Sequence, residues 1–389
     1  MKYNLQEKVD RFGSDSVKWM NPDPELIPMW VADMDYKVAP FIIDALQKRV
    51  QHGIFGYVNV PDSYYQAVVD WFGRRRGWKI EKEWIQYIPA VVPAISCVIK
   101  AFTQPGDKVV INSPAYNCFY SSIRNNKCEC VSSELVRKGD SFEIDFADLE
   151  AKVSDPSAKI FLFCNPHNPC GRMWSAEELN RVGEICRRHN TIVVSDEIHC
   201  EIEMPGSRYI PFASLGKDNQ DCCIALTSPS KSFNTAGLQI ANIICNNPQW
   251  RAKIDRAIND NEVCDVNPFG VTALQAAYSA DGEDWLKEMN AAVWENYCTL
   301  RDRFQQELPQ FTVCKLEGTY LAWVDCTPLV AKGVSTEEIS QKLVRDNKVW
   351  INSGSMYGNG NYMRINLAGP SAMIAEGIER IIKGIKEIF

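Results

Sequence analysis

The chain has 389 residues, 46% of them hydrophobic and 23% charged, with a net charge of −7 at pH 7 and a pI near 5.4. That length allows two domains and a large core. The acidic balance, with no concentrated basic patch, argues against nucleic acid as a partner.

The longest basic run, Arg74-Arg75-Arg76, reads as a solvated helix end. No apolar run reaches the roughly 18 residues of a membrane helix, so no membrane partner is expected. Residues 1–7 lack the apolar stretch of a signal peptide, and a cytoplasmic location is expected. The 15 cysteines are then expected to be reduced. Cys97, Cys164, Cys186 and Cys245 sit in apolar runs, where cysteine packs as a small hydrophobe. No cysteine spacing suits zinc, and no metal is expected.

The predicted elements begin to alternate near residue 90. Residues 92–102 read as a helix, 108–111 as a strand, 116–124 as a helix and 128–132 as a short strand. A strand at 159–164 runs into Asn165-Pro166-His167-Asn168-Pro169-Cys170-Gly171-Arg172. A helix follows at 175–189, opened by a capping box of Ser175 and Glu178. Its acidic start and the Arg187-Arg188 end both suit the helix dipole. Strands are predicted at 191–196, 222–227 and 240–245, so the middle of the chain reads as a mostly parallel sheet covered by helices. After residue 270 the pattern changes. Helical periodicity runs over 272–307, then a strand at 318–325 and helices at 335–345 and 369–389 suggest a smaller α/β domain.

Three of these strands end in polar groups: Asn168, Asp196 and Lys231. In open α/β sheets ligands bind at the carboxyl edge. A lysine amine can form a Schiff base with an aldehyde, a carboxylate can keep a ring nitrogen protonated, and an amide can donate to a phenolic oxygen. One cofactor needs all three, pyridoxal 5′-phosphate (PLP).

The motifs Asn-Pro-x-Asn-Pro-x-Gly, Ser195-Asp196-Glu197-Ile198-His199 and Ser228-Pro229-Ser230-Lys231-x-Phe233-Asn234 resemble those of fold-type-I PLP enzymes of the class I/II aminotransferase superfamily. Within it, Val31-Ala32-Asp33-Met34-Asp35, Phe55-Gly56-Tyr57 and Val91-Val92-Pro93-Ala94 resemble the MalY/PatB group of C–S β-lyases, which includes cystalysins and some cystathionine β-lyases.

The resemblance implies a large PLP-binding domain at 46–272 and a discontinuous small domain at 1–45 and 273–389. It implies that Lys231 carries the cofactor and then moves the substrate's α-proton. Tyr116 is expected to stack on the ring and help a leaving group, with Phe119 and Tyr120 as neighbouring competitors. His199 is expected to orient Asp196 or sit behind it. Ser228, Ser230 and the backbone N–H groups of Val91 and Val92 are expected to hold the phosphate, and Tyr57 to reach it from the neighbouring subunit of a homodimer. Arg364 is expected to grip the substrate carboxylate, with Asn168 and the Ala32 backbone beside it. One departure stands out: many superfamily members have arginine eight residues after the lysine, and here that residue is Gln239. A C–S β-lyase acting on S-substituted cysteines such as cystathionine is the activity implied. An aminotransferase, or a regulator-binding role beside catalysis, are the alternatives.

Overall fold

The computed structural model describes residues 2–388. Its centre is an eight-stranded sheet in the order Ile85–Ile88, Ala241–Ile244, Cys223–Thr227, Ile192–Asp196, Ala158–Cys164, Lys108–Ser113, Glu129–Lys138, Ser141–Ile144. The five strands from Cys223–Thr227 to Glu129–Lys138 pair in parallel. Ala241–Ile244 and Ser141–Ile144 run against their neighbours. Cys223–Thr227 is buried along its whole length, which is why it reads as a near-continuous apolar run instead of an alternating one.

From Lys108–Ser113 the chain adds two strands on one side and then returns to build the other. The order reverses between Lys108–Ser113 and Ala158–Cys164, and the carboxyl ends there open a crevice.

A second, antiparallel sheet joins Leu321–Asp325, Tyr362–Asn366 and Asn352–Ser353, with Arg364 opposite both Trp323 and Asn352. The N-terminal strand Ile27–Pro28 pairs in parallel with Val349–Trp350. The indoles of Trp30 and Trp350 stack at 4.3 Å just beyond that pairing. The early chain is thus attached to its last quarter.

Most predicted elements lie within two residues of their expected ends, and the capping box forms as read, with both Ser175–Glu178 bonds present. Four readings need correction. The strand expected at 128–132 runs over Glu129–Lys138 and is 10 residues long. The periodicity over 272–307 is two helices, Pro268–Ala277 and Ala280–Glu307. Ser279 caps the second, and a side chain at Gly282 would strike the Ala277 carbonyl, so the chain turns there. The strand predicted from 318 starts at Leu321, because Thr319 holds a left-handed φ of 67° and bonds to Ile202.

Arg74-Arg75-Arg76 is not a solvated run. Arg75 and Arg76 converge at 2.6 and 2.9 Å on Glu201, which is fully buried, and Trp71 Nε1 donates to the same carboxylate at 2.9 Å. A buried carboxylate needs such compensation. Arg74 alone stays near the surface, paired with Glu283.

All 15 cysteines are free thiols. Among the described residues there is no cluster of metal-ligating side chains, and no helix is long and apolar enough to cross a membrane.

Candidate active site

The strands Ala158–Cys164, Ile192–Asp196 and Cys223–Thr227 are adjacent and parallel, so their carboxyl ends deliver Asn168, Asp196 and Lys231 to one edge. Asn168 sits in a loop held by Gly171, whose φ is 69° and whose carbonyl accepts from the backbone of Glu317 and Gly318. A side chain at Gly171 would meet Leu316 at 2.8 Å, so the residue type is required there.

Lys231 follows its strand by four residues, and its Nζ donates to the Ala32 carbonyl at 2.7 Å. Burial, then the Arg364 charge, lower its pKa to about 8, against the opposing pull of Asp33 and Asp196. Asp196 is buried, and its carboxylate accepts from Ile198 N at 3.1 Å. Burial pushes its pKa up to about 7 despite the nearby Lys231 charge.

Arg364 projects into the same space from the small sheet, with 3% of its surface exposed. Its Nη1 donates to Asn168 Oδ1 at 3.1 Å and its Nη2 to Trp30 O at 2.9 Å. Its guanidinium lies 4.5 Å over the Tyr357 ring, and its Nε has no partner. No carboxylate pairs with it among the described residues. With Oδ1 occupied by Arg364, the Asn168 Nδ2 is left as a donor.

Tyr116 stands half-buried at the start of the helix Asn117–Asn125, with burial raising its phenol and the charges of Asp196 and Arg364 in range. Its competitors have other roles: Phe119 is in the core, and Tyr120 donates to Tyr357 O at 3.1 Å.

The helix Val91–Phe102 has no side-chain cap and no acidic residue in its first turn. Its leading N–H groups, including those of Val91 and Val92, are free to meet an anion. The Val91 side chain turns into the core.

Several expected contacts differ. The Ser228 hydroxyl donates to Ile240 O at 2.6 Å and pairs with Ser230, so it is already committed and Ser230 is the more accessible of the two. His199 makes no hydrogen bond to Asp196. It is buried with its ring edge-on to Tyr320 at 6.0 Å and its Nδ1 unpartnered, and burial holds it neutral. Ala32 contributes its carbonyl to Lys231 and to Tyr320 OH at 2.9 Å. Gln239 is exposed with a left-handed φ of 49°. Tyr57 is 97% exposed on a loop, close in sequence to exposed Ile54 and Phe55.

The residues sequence reading missed are Tyr320, Tyr357, Asn352 and Glu197. Glu197 is buried, accepts from Ser195 Oγ, Phe212 N and Tyr209 OH, and has its pKa raised to about 7 by burial. Its one signal was its place beside Asp196.

A lysine amine, a buried carboxylate and an unpaired buried arginine at a sheet's carboxyl edge define an α/β enzyme that binds an anionic amino compound. Residues 24–381 match the aminotransferase class I and II family. The chain is 40% identical to cystathionine beta-lyase PatB of Bacillus subtilis, covering 97% of this chain and 98% of that protein. It is 30% identical to protein MalY of Escherichia coli over 99% of this chain and all of that protein. The solved structure of cystalysin from Treponema denticola, which contains a pyridoxal 5′-phosphate cofactor, superposes with a TM-score of 0.95 at 32% identity, covering both chains completely. The chain belongs to the class I and II aminotransferase family, in the group of PatB and MalY.

The site fits that cofactor on its own observations. Among the described residues Asp196 is a buried carboxylate in no ion pair, the Asn168 Nδ2 has no acceptor, and the helix Val91–Phe102 begins without a side-chain cap. These match a protonated ring nitrogen, a phenolic oxygen and a phosphate.

Proposed function

We propose that this protein is a PLP-dependent C–S β-lyase that cleaves S-substituted L-cysteines such as L-cystathionine into a thiol, pyruvate and ammonia. The observation that carries the reading is Arg364, a buried cation with no carboxylate of its own, standing beside a lysine whose amine is partly neutral near pH 7. The relation to PatB supports the choice of lyase.

When bound, PLP supplies the electron sink that acidifies the amino acid's α-carbon. Arg364 holds the α-carboxylate, for which a planar guanidinium is suited. Lys231 takes the α-proton, and its pKa of about 8 lets it act as base and then as acid near neutral pH. Asp196 holds a proton on the ring nitrogen, and the opposing positive charge draws its own pKa back down. Asn168 would donate from Nδ2 to the ring oxygen. Tyr116 would pack on the ring, with its phenol available to the leaving group. Ser230 and the N–H groups of Val91 and Val92 would hold the phosphate.

The exposed Tyr57, with Ile54 and Phe55, supports a homodimer in which Tyr57 reaches the partner's phosphate. A large domain at 46–272, a small one at 1–45 and 273–389, and a cytoplasmic location belong to the same reading.

The test is incubation with cystathionine and no keto acid. Pyruvate, ammonia and thiol should appear in equal amounts. Amino-group transfer to an added keto acid without thiol release would overturn the reading in favour of an aminotransferase.

A further inference from the structure

We infer that Asn366 is a positioning residue that fixes the Ala32 carbonyl and, through it, the resting place of the Lys231 amine. The segment Trp30–Met34 is bent and has no ladder partners. Each of its five carbonyls accepts instead from a side chain. Trp30 O takes Arg364 and Asn352, both at 2.9 Å. Ala32 O takes Lys231 and Tyr320. Met34 O takes Arg11 and Asn234 at 3.1 and 3.0 Å. The two carbonyls flanking Ala32, those of Val31 and Asp33, both accept from Asn366 Nδ2, the second at 2.6 Å.

Asn366 is 1% exposed. Its amide cannot be turned round, because Oδ1 accepts the Ala368 N–H at 2.8 Å, which leaves Nδ2 facing the segment. It lies two residues after Arg364 on one strand, so both side chains leave the same face. A single strand therefore supplies the carboxylate-binding cation and the clamp for the lysine's acceptor. The peptides before and after the one that carries the Ala32 carbonyl are thus pinned, and with each peptide planar that carbonyl has little freedom to turn away. Among the described residues Val31 O has no other donor, so loss of the amide leaves a carbonyl unsatisfied and the segment free to shift.

The inference rests on Lys231 as the proton-moving amine, but its test reads that amine directly. A carbonyl that accepts from the ammonium form favours that form, and losing it makes the amine more acidic. The other groups acting on Lys231 are Arg364, Asp33, Asp196, Cys118 and His199. Asn366→Ala changes the charge of none of them.

The full chain, freed of cofactor and checked for native circular dichroism, is trace-labelled with acetic anhydride across a pH series. Labelling of Lys231 is followed by mass spectrometry, with exposed Lys383 as internal reference. N366A should move the Lys231 midpoint down by about one pH unit, a tenfold rise in neutral amine at fixed pH. N296A is the control: Asn296 is equally buried and bonds two carbonyls, Leu367 and Gly369, outside the segment, and its loss should leave the midpoint in place. An unchanged midpoint in folded N366A, or an equal shift in N296A, overturns the inference. If N366A does not fold, N366S keeps a donor for only one of the two carbonyls and should show a smaller shift in the same direction, with no shift overturning the inference. Failure of the lyase reading would appear as absent thiol release in the wild-type holoenzyme, with the labelling result untouched.

Discussion

Two buried charge clusters lie on either side of the segment that follows Asp196. At the corner between the helix Asp62–Arg76 and residues 200–203, Glu201 receives Arg75, Arg76 and the Trp71 indole, and Arg76 also reaches Glu203. Those cations hold Glu201 below its usual carboxylate pKa in spite of burial. In the crevice, Asp196 and Arg364 are equally buried but lack such partners, and burial drives both toward their neutral forms. Where charge holds two elements together, the chain supplies both signs. Where a ligand is to be held, it leaves the counter-charge missing and carries the desolvation cost until the ligand arrives.

Replacing Lys231 with Ala should make the largest difference. Loss of a general acid–base group costs about 10²–10⁴-fold in turnover, and assays of thiol and pyruvate release would register it. A variant active within tenfold of wild type would remove Lys231 from the chemistry.

Glu201→Gln and Arg364→Met test the comparison itself by urea unfolding of the cofactor-free chain. The first removes the carboxylate on which Arg75 and Arg76 converge, leaving them Glu283 and Glu203, and should cost about 1.5–3 kcal/mol, the range for hydrogen bonds to charged groups. The second removes a charge with no carboxylate partner and should change stability by less than about 1 kcal/mol, or raise it. Equal losses would erase the distinction between the clusters.

The clusters should also answer pH with opposite signs. Asp196 has a folded pKa of about 7, above its unfolded value, so the folded chain holds a proton that the unfolded chain has lost between roughly pH 4 and 7. Stability of the cofactor-free chain from this group therefore falls as pH rises through that window, by about 2–4 kcal/mol. Glu201, with its pKa lowered, contributes stability above the ordinary carboxylate range that is lost on acidification. Unfolding at pH 5 and pH 8 should show that Asp196→Asn loses a fall in stability that the wild type carries, leaving the share due to Glu197 and the opposite share of His167 and His199, which burial holds neutral. An unaltered difference would mean that Asp196 ionises normally.

Arg364→Lys should raise the substrate KM by roughly 10–100-fold, the loss of a charge-assisted contact worth about 1.5–3 kcal/mol. Steady-state kinetics would find KM unmoved if the arginine lay outside the site. The smallest effect belongs to Tyr57→Phe, which should weaken PLP binding by about 0.5–1.5 kcal/mol in equilibrium dialysis if one hydrogen bond to the phosphate is lost. Unaltered affinity would count against a phosphate shared between subunits.

The sheet and three of its ligand-facing residues were legible because their signals are local. A buried parallel strand is a short apolar run, and the polar residue just past it marks the carboxyl edge, as at Asp196. The paired corner was misread because Arg75 looks solvated until Glu201, 126 residues later, is placed against it. Tyr320 and Asn366 were invisible for the same reason. Their partners are backbone carbonyls of residues 31–33, and a carbonyl has no letter in a sequence.

The attachment of Ile27–Pro28 to Val349–Trp350 has a consequence for how the molecule is made. The first 35 residues leave the ribosome early, yet the strand they join and the asparagine that clamps them lie more than 300 residues downstream. Closing a loop of that size is slow. The central sheet, whose strands lie between residues 85 and 244, has all its partners long before then. The segment at 27–35 must therefore wait, its carbonyls facing water, until residues 349–366 have emerged, and the crevice is completed after the central sheet. A nascent chain stalled before residue 349 should accordingly carry a protease-sensitive amino terminus on an already resistant central sheet.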